Sequence, residues 1–186
     1  MKIETKRLIL RNWNFDDIDA IVDGLNDFDV AKFLTTPYPY HREDGVNFVN
    51  RFHELDDKNF YFAIIKKDSN EVIGGTSVRY RDKKDDTNGG IWLRKDCHGV
   101  GYGQEAYGAI INFWFEYLKN TEIVSGYYEY NPASEHMHKK LGFKPFGTEM
   151  GYCPALSQDV KVVCGRLKKI DFEKIKGKNF EFKVIE

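Results

Sequence analysis

The sequence has few cysteines and no excess of either charge. Its three cysteines, Cys97, Cys153 and Cys164, include no CxxC pair, which argues against a disulfide framework, a zinc site and a redox motif. Because 28 Lys and Arg stand against 29 Asp and Glu, a formal charge of −1 offers no field that would hold nucleic acid or an anionic membrane. We therefore expect reduced thiols, no metal, and neither nucleic acid nor a membrane as partner.

Long apolar runs are also absent. None approaches the roughly 18 residues that span a bilayer, and residues 1–14 lack the apolar core of a signal peptide, so we expect a cytoplasmic protein. The composition, with 41% hydrophobic and 15% aromatic residues, is that of an ordinary globular protein. We expect a single domain over 1–186, with its core at about residues 3–168.

Hydrophobic periodicity predicts alternating strands and helices, and hence an α+β fold. Strands are predicted at 7–13, 60–66, 72–81, 90–93, 123–130, 143–151 and 160–167. Helices are predicted at 14–25, 42–55, 103–119 and 132–141. In the tail, 169–186, the alternation of Phe180, Phe182 and Val184 allows either an edge strand or a frayed end.

A glycine-rich turn connects the strand ending at Leu93 to the longest predicted helix. It reads His98-Gly99-Val100-Gly101-Tyr102-Gly103-Gln104. Free N–H groups at a helix N-terminus attract anions, and glycine lets a diphosphate approach the backbone. The turn lacks the third glycine of a dinucleotide fingerprint, because Gln104 stands there, and it lacks the Lys of a P-loop. From spacing alone, a tight connection without function remains the alternative.

The turn resembles the acetyl-coenzyme A motif of the GNAT acetyltransferase superfamily, Gln/Arg-x-x-Gly-x-Gly/Ala. Gly101 and Gly103 match its glycines, and His98 departs at its first position. A second stretch, Asn131-x-x-Ser134 followed by Leu141-Gly142-Phe143, resembles the second cofactor motif of the family, although helix capping alone accounts for it.

Three further runs resemble the ribosomal-protein N-terminal acetyltransferase (RimJ/RimL-like) subgroup. They are Thr5–Arg11, His98–Ala106 and Gln158–Val160, although the subgroup usually has Lys where Val100 stands. The resemblance covers about residues 3–168. It implies a mixed sheet of six or seven strands flanked by helices and splayed between its fourth and fifth strands, where the pantetheine arm of acetyl-CoA pairs like an added strand. Here those strands are the segments 90–93 and 123–130.

The same resemblance implies transfer of acetyl from acetyl-CoA to a primary amine, by direct attack in a ternary complex. The subgroup points to a peptide or protein N-terminus as acceptor. A small amine such as an aminoglycoside or polyamine, and a non-catalytic sensor of acyl-CoA, remain alternatives. A monomer and a homodimer are both compatible with the sequence. The implied cofactor contacts are Leu93, His98, Gly99, Val100, Gly101, Tyr102, Gly103, Gln104, Asn131 and Ser134.

Three residues are candidates for proton transfer. His138 lies seven residues after Asn131, where many family members place a tyrosine that protonates the leaving thiolate; a histidine at the solvent edge is the alternative. Glu129 and Tyr128 are candidates for deprotonating the amine, unless strand alternation simply exposes them. Cys97, close to the turn, lacks a local base, so packing is the preferred interpretation.

The acceptor side rests on weaker signals. Tyr38 and Tyr40 lie in a proline-containing loop that, by resemblance, covers the acceptor site; an aromatic loop that only packs is the alternative. Asn88 stands where the subgroup often has an acid, which leaves the general base open. Asp82, Asp85 and Asp86 would attract a cationic acceptor or form a solvated loop.

Overall fold

The computed structural model describes residues 1–53, 59–81, 89–176, 180 and 182–185. The expectations for Asp82, Asp85, Asp86 and Asn88 therefore concern residues outside the described ranges. Within those ranges no helix is long and apolar enough to cross a bilayer.

The described residues form one mixed sheet of nine strands in the order β7-β8-β6-β5-β4-β3-β2-β1-β9. The strands are β1 (Lys2–Glu4), β2 (Leu8–Arg11), β3 (Asn59–Lys66), β4 (Val72–Arg79), β5 (Gly89–Leu93), β6 (Glu122–Tyr128), β7 (Lys144–Cys153), β8 (Gln158–Lys168) and β9 (Lys183–Ile185). Neighbours pair antiparallel except β5 and β6, which are parallel. The α+β class with a mixed sheet is confirmed, with two more strands than the upper prediction.

Six helices flank the sheet in the described chain. They are α1 (Ile18–Leu25), α2 (Phe28–Ala31), α3 (Arg42–His53), α4 (Tyr102–Asn112), α5 (Pro132–Lys140) and α6 (Lys169–Lys176). A 3-10 turn at Phe15–Asp17 leads into α1, and α4 continues as a π-helical turn at Phe113–Tyr117. The helix predicted at 103–119 is therefore a single element whose hydrogen-bond pattern changes near its end.

The sheet separates two apolar cores. Alternate side chains of β3 belong to different cores, Phe62 and Ile64 to the larger one and Ala63 and Ile65 to the smaller. This division follows from the two-residue period of a strand. The larger core contains residues of α4 and α6, and the smaller contains residues of α1 and α3. Helices therefore cover both faces of the sheet.

The C-terminal segment is an edge strand preceded by a helix. β9 pairs antiparallel with β1, with Val184 opposite Ile3. Before it, Phe180 packs on α4 at Gly108, where an added Cβ would lie 2.1 Å from the ring. This close approach requires glycine. The sequence offered the edge strand as one of two alternatives, and α6 was not predicted.

We expect Phe172→Ala in α6 to lower the free energy of unfolding by about 3–5 kcal/mol, the usual cost of removing a buried ring. The Phe172 ring is 1% exposed and lies 5.7 Å from the Phe115 ring, centroid to centroid. Urea denaturation measures the loss. Ile170→Ala on the same helix is the control, because a side chain that is 65% exposed should contribute less than about 0.5 kcal/mol. Equal losses would show that α6 does not pack as described.

Candidate active site

The two parallel strands at the centre of the sheet diverge. In the described residues, β5 and β6 pair only at Gly89 and Ser125. Leu93 lies opposite Gly74 of β4, and in the next position Arg94 N–H donates to Ile73 O at 2.8 Å. In an antiparallel pair, hydrogen-bonded and non-hydrogen-bonded positions alternate. The N–H and C=O of Leu93 therefore point away from β4. They face the gap toward β6. This is the splay that the resemblance implied, between the fifth and sixth strands because β1 was not predicted.

The carboxyl ends of both strands lie at the open edge of this gap, and α4 and α5 begin there. The turn that starts α4 has positive φ at Gly99 (78°) and Gly101 (88°), a conformation that favours glycine. From Gly99 to Gln104, no backbone N–H has an acceptor among the described residues. These free donors and the helix dipole together form an anion-binding cradle.

Gly103 serves a different purpose from the two earlier glycines. Its φ is not positive, and an added Cβ would lie 3.5 Å from Leu93 Cδ1 and 3.7 Å from Met137 Sδ, at ordinary contact distances. The start of α4 is thus adjacent to both β5 and α5. Gln104, in the next position, is half-buried.

His98 turns its ring back onto the strand before the turn. Its Nε2 lies 2.9 Å from Leu93 O, the carbonyl that faces the gap. The exposed Val100 offers its carbonyl oxygen to Arg7 Nη1 at 3.0 Å, and the Arg7 guanidinium stacks over the Tyr102 ring at 4.4 Å. These contacts use side chains and carbonyl oxygens, and they leave the backbone N–H groups of the turn free.

Glu105 fastens the start of α4 to the N-terminal strands. Its Oε1 accepts from Thr5 Oγ1 and from Arg7 N–H, both at 2.7 Å, and its Oε2 accepts from Arg7 Nε at 2.6 Å. Burial raises the pKa of the carboxyl, but these donors outweigh it and hold the pKa below its ordinary value. Glu105 is ionised at neutral pH, and the cradle is held by three charge-assisted bonds.

Asn131 and Ser134 define the start of α5. The buried Asn131 caps the helix, since its Oδ1 accepts from Ser134 N–H at 3.1 Å. Ser134 is half-buried and its carbonyl oxygen accepts from the ring of His138. Both residues lie just after β6, at the open edge of the gap, where the sequence motif placed them.

His138 is buried rather than at the solvent edge, which corrects that alternative. Nδ1 lies 2.8 Å from Ser134 O and Nε2 lies 3.0 Å from Ser125 Oγ. Because a carbonyl oxygen only accepts, Nδ1 carries the proton and Nε2 is an acceptor. Nε2 and Gly89 O are the two acceptors within reach of the single Ser125 hydroxyl proton. Burial lowers the pKa of His138 to about 4, so the ring is neutral at neutral pH, contrary to the expectation that it titrates there.

Tyr128 and Glu129, at the end of β6, have different environments. The Tyr128 ring is buried, its hydroxyl donates to Tyr152 O at 3.0 Å, and burial raises its pKa to about 12, so the phenol keeps its proton at neutral pH. Glu129 is exposed, and its carboxylate pairs with Lys161 Nζ at 3.0 Å. Counting four residues from the Gly89–Ser125 pair places Glu129 level with Leu93 across the gap.

The two tyrosines of the proposed acceptor loop lie close to α1 and α2. Tyr40 is buried in the smaller core, and Asn26 holds its backbone through bonds of 2.6 and 2.8 Å. Tyr38 is half-buried with its ring 5.9 Å from that of Phe28. At Tyr40 the loop is therefore fixed by packing, whereas the partly exposed Tyr38 ring remains available to a ligand.

The sequence interpretation missed several residues that shape the site. Arg7 and Glu105 appeared only within the runs that resemble the family, and Tyr107 and Ser125 were not singled out. For Tyr107 a signal was available, because a tyrosine on the buried face of a predicted helix usually has a partner for its hydroxyl. Cys97, by contrast, lies in the larger core as expected, and burial raises the pKa of its thiol.

Comparison with known proteins agrees with this geometry. The family profile "Acetyltransferase (GNAT) domain" matches residues 7–144. An uncharacterized N-acetyltransferase of Bacillus subtilis (strain 168), YnaD, is 28% identical over 148 residues, which are 79% of this chain and 85% of the relative. The chain therefore belongs to the GNAT acetyltransferase family, and it is an acetyl-CoA-dependent N-acetyltransferase.

Two solved structures show the same fold. One is a ribosomal-protein-S5-alanine acetyltransferase from Vibrio fischeri, at a TM-score of 0.75 and 20% identity, covering 92% of this chain and 98% of the other. The second is a spermidine N-acetyltransferase from Vibrio cholerae in complex with CoA and spermine, at a TM-score of 0.76 and 16% identity, covering 91% and 99%. At such identities the likeness concerns the fold alone.

The described residues fit acetyl-CoA. The free N–H groups of 99–104 suit a diphosphate, and the unpaired edge of β5 at Leu93 suits the amides of a pantetheine arm, which pair like a strand. When bound, acetyl-CoA supplies the thioester whose acetyl group the amine takes. The protein supplies the cradle and the gap.

We expect Glu105→Gln to lower the free energy of unfolding by about 1–3 kcal/mol at pH 7, because the amide NH2 of Gln would face one of the three donors of Thr5 and Arg7. Chemical denaturation measures the loss. Glu135→Gln is the matched control, since its exposed ion pair with Lys139 contributes little. If both variants lose the same amount, Glu105 is one more surface acid and does not fasten the turn.

Proposed function

We propose that this acetyltransferase belongs to the RimJ/RimL-like subgroup and that its acceptor is a peptide or protein N-terminus. The observation that carries acetyl transfer is the gap between β5 and β6 with free N–H donors at its open edge. The subgroup rests on the resemblance of the Thr5–Arg11 and His98–Ala106 runs, which meet in the structure through Glu105.

The surface beside Glu129 supports a peptide. Glu129, Lys161 and Met150 lie side by side across β6, β8 and β7, because Glu129 N–H bonds to Lys161 O and Met150 pairs with Lys161. Met150 and Tyr152 are exposed and form an apolar strip beside Glu129, with the exposed Asp159 opposite Tyr152. The apolar side chains of a peptide can pack on such a strip, whereas a polyamine has no side chains to place there. Of Glu129, Lys161 and Met150, only Glu129 is acidic, and its carboxylate already pairs with Lys161.

We assign the chemical steps to residues at the open edge. Leu93 N–H faces the gap and would donate a hydrogen bond to the carbonyl oxygen of the acetyl thioester as negative charge develops on that oxygen. Glu129 accepts the proton of the amine; Tyr128 is the weaker candidate because its phenol is buried and bonded. Tyr38, with Tyr40 beneath it, lines the acceptor side.

The proton for the leaving thiolate is assigned to His138. The donor form is the imidazolium, because a neutral ring that lost its Nδ1 proton would become an imidazolate. The second proton lies on Nε2, and giving it up returns the ring to its neutral form with Nδ1–H still on Ser134 O. Because burial lowers the pKa to about 4, this donor form is a minor one at neutral pH. The buried location excludes bulk water as an easy competitor. This role stays a prediction.

The rival acceptor is a small amine, and the observation in its favour is the spermidine N-acetyltransferase with the same fold. The sensor alternative predicts binding of acetyl-CoA without turnover. Neither the fold nor the cradle separates the three, since all need the same acetyl-CoA site.

Thiol release should be fastest with Lys-free peptides that have a free N-terminus. We would compare such peptides with the same peptides acetylated at the N-terminus, with spermidine and with an aminoglycoside. Gly101→Val is the inactive control, since a β-branched residue resists φ of 88° and blocks the cradle. Faster release with spermidine or the aminoglycoside would overturn the peptide assignment. Binding without release would favour the sensor, and absence of binding by the wild type would contradict the acetyl-CoA site itself.

His138→Ala should lower kcat by about a hundredfold at saturating substrates, the usual scale for a positioned proton donor. Because burial lowers the pKa of His138 to about 4, its own titration lies below pH 6 and should place no inflection in the wild-type kcat profile between pH 6 and 9. Steady-state kinetics from pH 6 to 9 test both points. His136→Ala, exposed on the same helix, is the control. A kcat of His138→Ala within threefold of the wild-type value would show that His138 is not the donor, and that water protonates the thiolate.

A further inference from the structure

A buried hydroxyl lies at the point where β5 and β6 meet. Ser125 Oγ accepts from Tyr107 Oη at 2.8 Å and lies 3.2 Å from Gly89 O and 3.0 Å from His138 Nε2. Ser125, Tyr107 and His138 are all buried. One side chain of β6 thus contacts α4, α5 and the first residue of β5. We call Tyr107, Ser125 and Gly89 the apex cluster.

The apex cluster coincides with the one pair that joins the two strands in the described chain, Gly89 with Ser125. In the described part of β5 this is the last pair before the strands diverge, so side-chain contacts here bear on the angle between them. Gly89 permits the close approach, because an added Cβ there would lie 2.8 Å from Tyr107 Oη and 3.2 Å from Ser77 O. At this pair, side-chain hydroxyls therefore add to the main-chain contacts between β5 and β6.

The geometry of the gap amplifies any change at the apex. Leu93, with its gap-facing N–H and C=O, is four residues beyond Gly89 on the same strand. A strand of that length spans roughly 13 Å, so a small rotation at Gly89 moves Leu93 by a larger distance. Hydrogen bonds tolerate only a few tenths of an ångström around about 2.9 Å, so the separation at Leu93 matters to a ligand that pairs there.

We propose that Tyr107 and Ser125 are positioning residues, whose hydroxyls set the separation of β5 and β6 and thereby the affinity for the pantetheine arm of acetyl-CoA. They act through Gly89 and the two strands without contacting the ligand. The inference rests on the proposed function, because it takes acetyl-CoA as the ligand of the gap.

A purely structural network would lower stability and leave affinity unchanged. Thr76 provides the matched comparison. Its buried Oγ1 donates to Gly90 O at 3.0 Å, so it also joins a neighbouring strand to β5, but on the fully paired side. Removing that hydroxyl leaves the β4–β5 ladder intact.

The experiment compares Ser125→Ala, Tyr107→Phe and Thr76→Val with the wild type. Calorimetric titration gives the Kd for acetyl-CoA, thermal melting gives Tm, and kinetics give the KM for each substrate. We expect Ser125→Ala and Tyr107→Phe to raise the Kd and the KM for acetyl-CoA about tenfold, which is 1.4 kcal/mol, with the KM for the acceptor unchanged. Thr76→Val should lower Tm similarly and keep the Kd within about twofold of wild type.

Each outcome decides between the alternatives. If Ser125→Ala does not fold, Tyr107→Phe, which keeps the ring, decides alone. A Kd within about twofold of wild type in the folded apex variants, or an equal rise in Thr76→Val, overturns the positioning role while the proposed function stands. If the wild type itself fails to bind acetyl-CoA, the proposed function fails, and the inference fails with it.

Discussion

The parting of β5 and β6 beyond the Gly89–Ser125 pair is the constraint on which the site depends. A parallel strand within a sheet satisfies the backbone groups of its neighbour, but beyond Gly89 and Ser125 the gap-facing groups of β5 have no ladder partner. Such groups favour whatever restores their hydrogen bonds. His98 already bonds to the carbonyl oxygen of Leu93, so the Leu93 N–H is the gap-facing group of that residue that stays open to a ligand. The site thus consists largely of main chain.

A main-chain site needs rigid support, and that support comes from distant parts of the sequence. Glu105 in α4 binds donors of Thr5 and Arg7. The two runs that resemble the RimJ/RimL-like subgroup, at 5–11 and 98–106, are therefore halves of one contact. This gives a physical reason for their residue types: the carboxylate needs several donors, and Thr5 and Arg7 supply three of them.

Local patterns predicted most elements and could not predict their long-range partners. The glycine turn was recognisable because glycine and a helix start are neighbours in sequence, and the strands around it alternate clearly. β1 has only three residues, too few for a periodic signal. The alternation in the tail left β9 as one of two alternatives, and its pairing with β1 decides between them. The helix α6 was hidden because its buried face is narrow, with Phe172 as its buried residue. The partners of Glu105 lie about a hundred residues away and leave no local trace.

His138 shows most clearly what spacing omits. Its distance from Asn131 predicted its place in the motif, and a histidine at the solvent edge was the alternative. The structure instead buries the ring against Phe143 and Tyr127, with centroids 4.7 and 4.8 Å away. Burial disfavours the charged imidazolium and lowers the pKa of the ring. The neutral ring donates from Nδ1 to Ser134 O, and its Nε2 lies beside Ser125 Oγ. The same imidazole thus connects the start of α5 to the apex of the gap. To act as an acid, the ring must first take a second proton on Nε2, the nitrogen that faces Ser125. Any protonation by His138 is therefore coupled to the hydrogen bonds of Ser125.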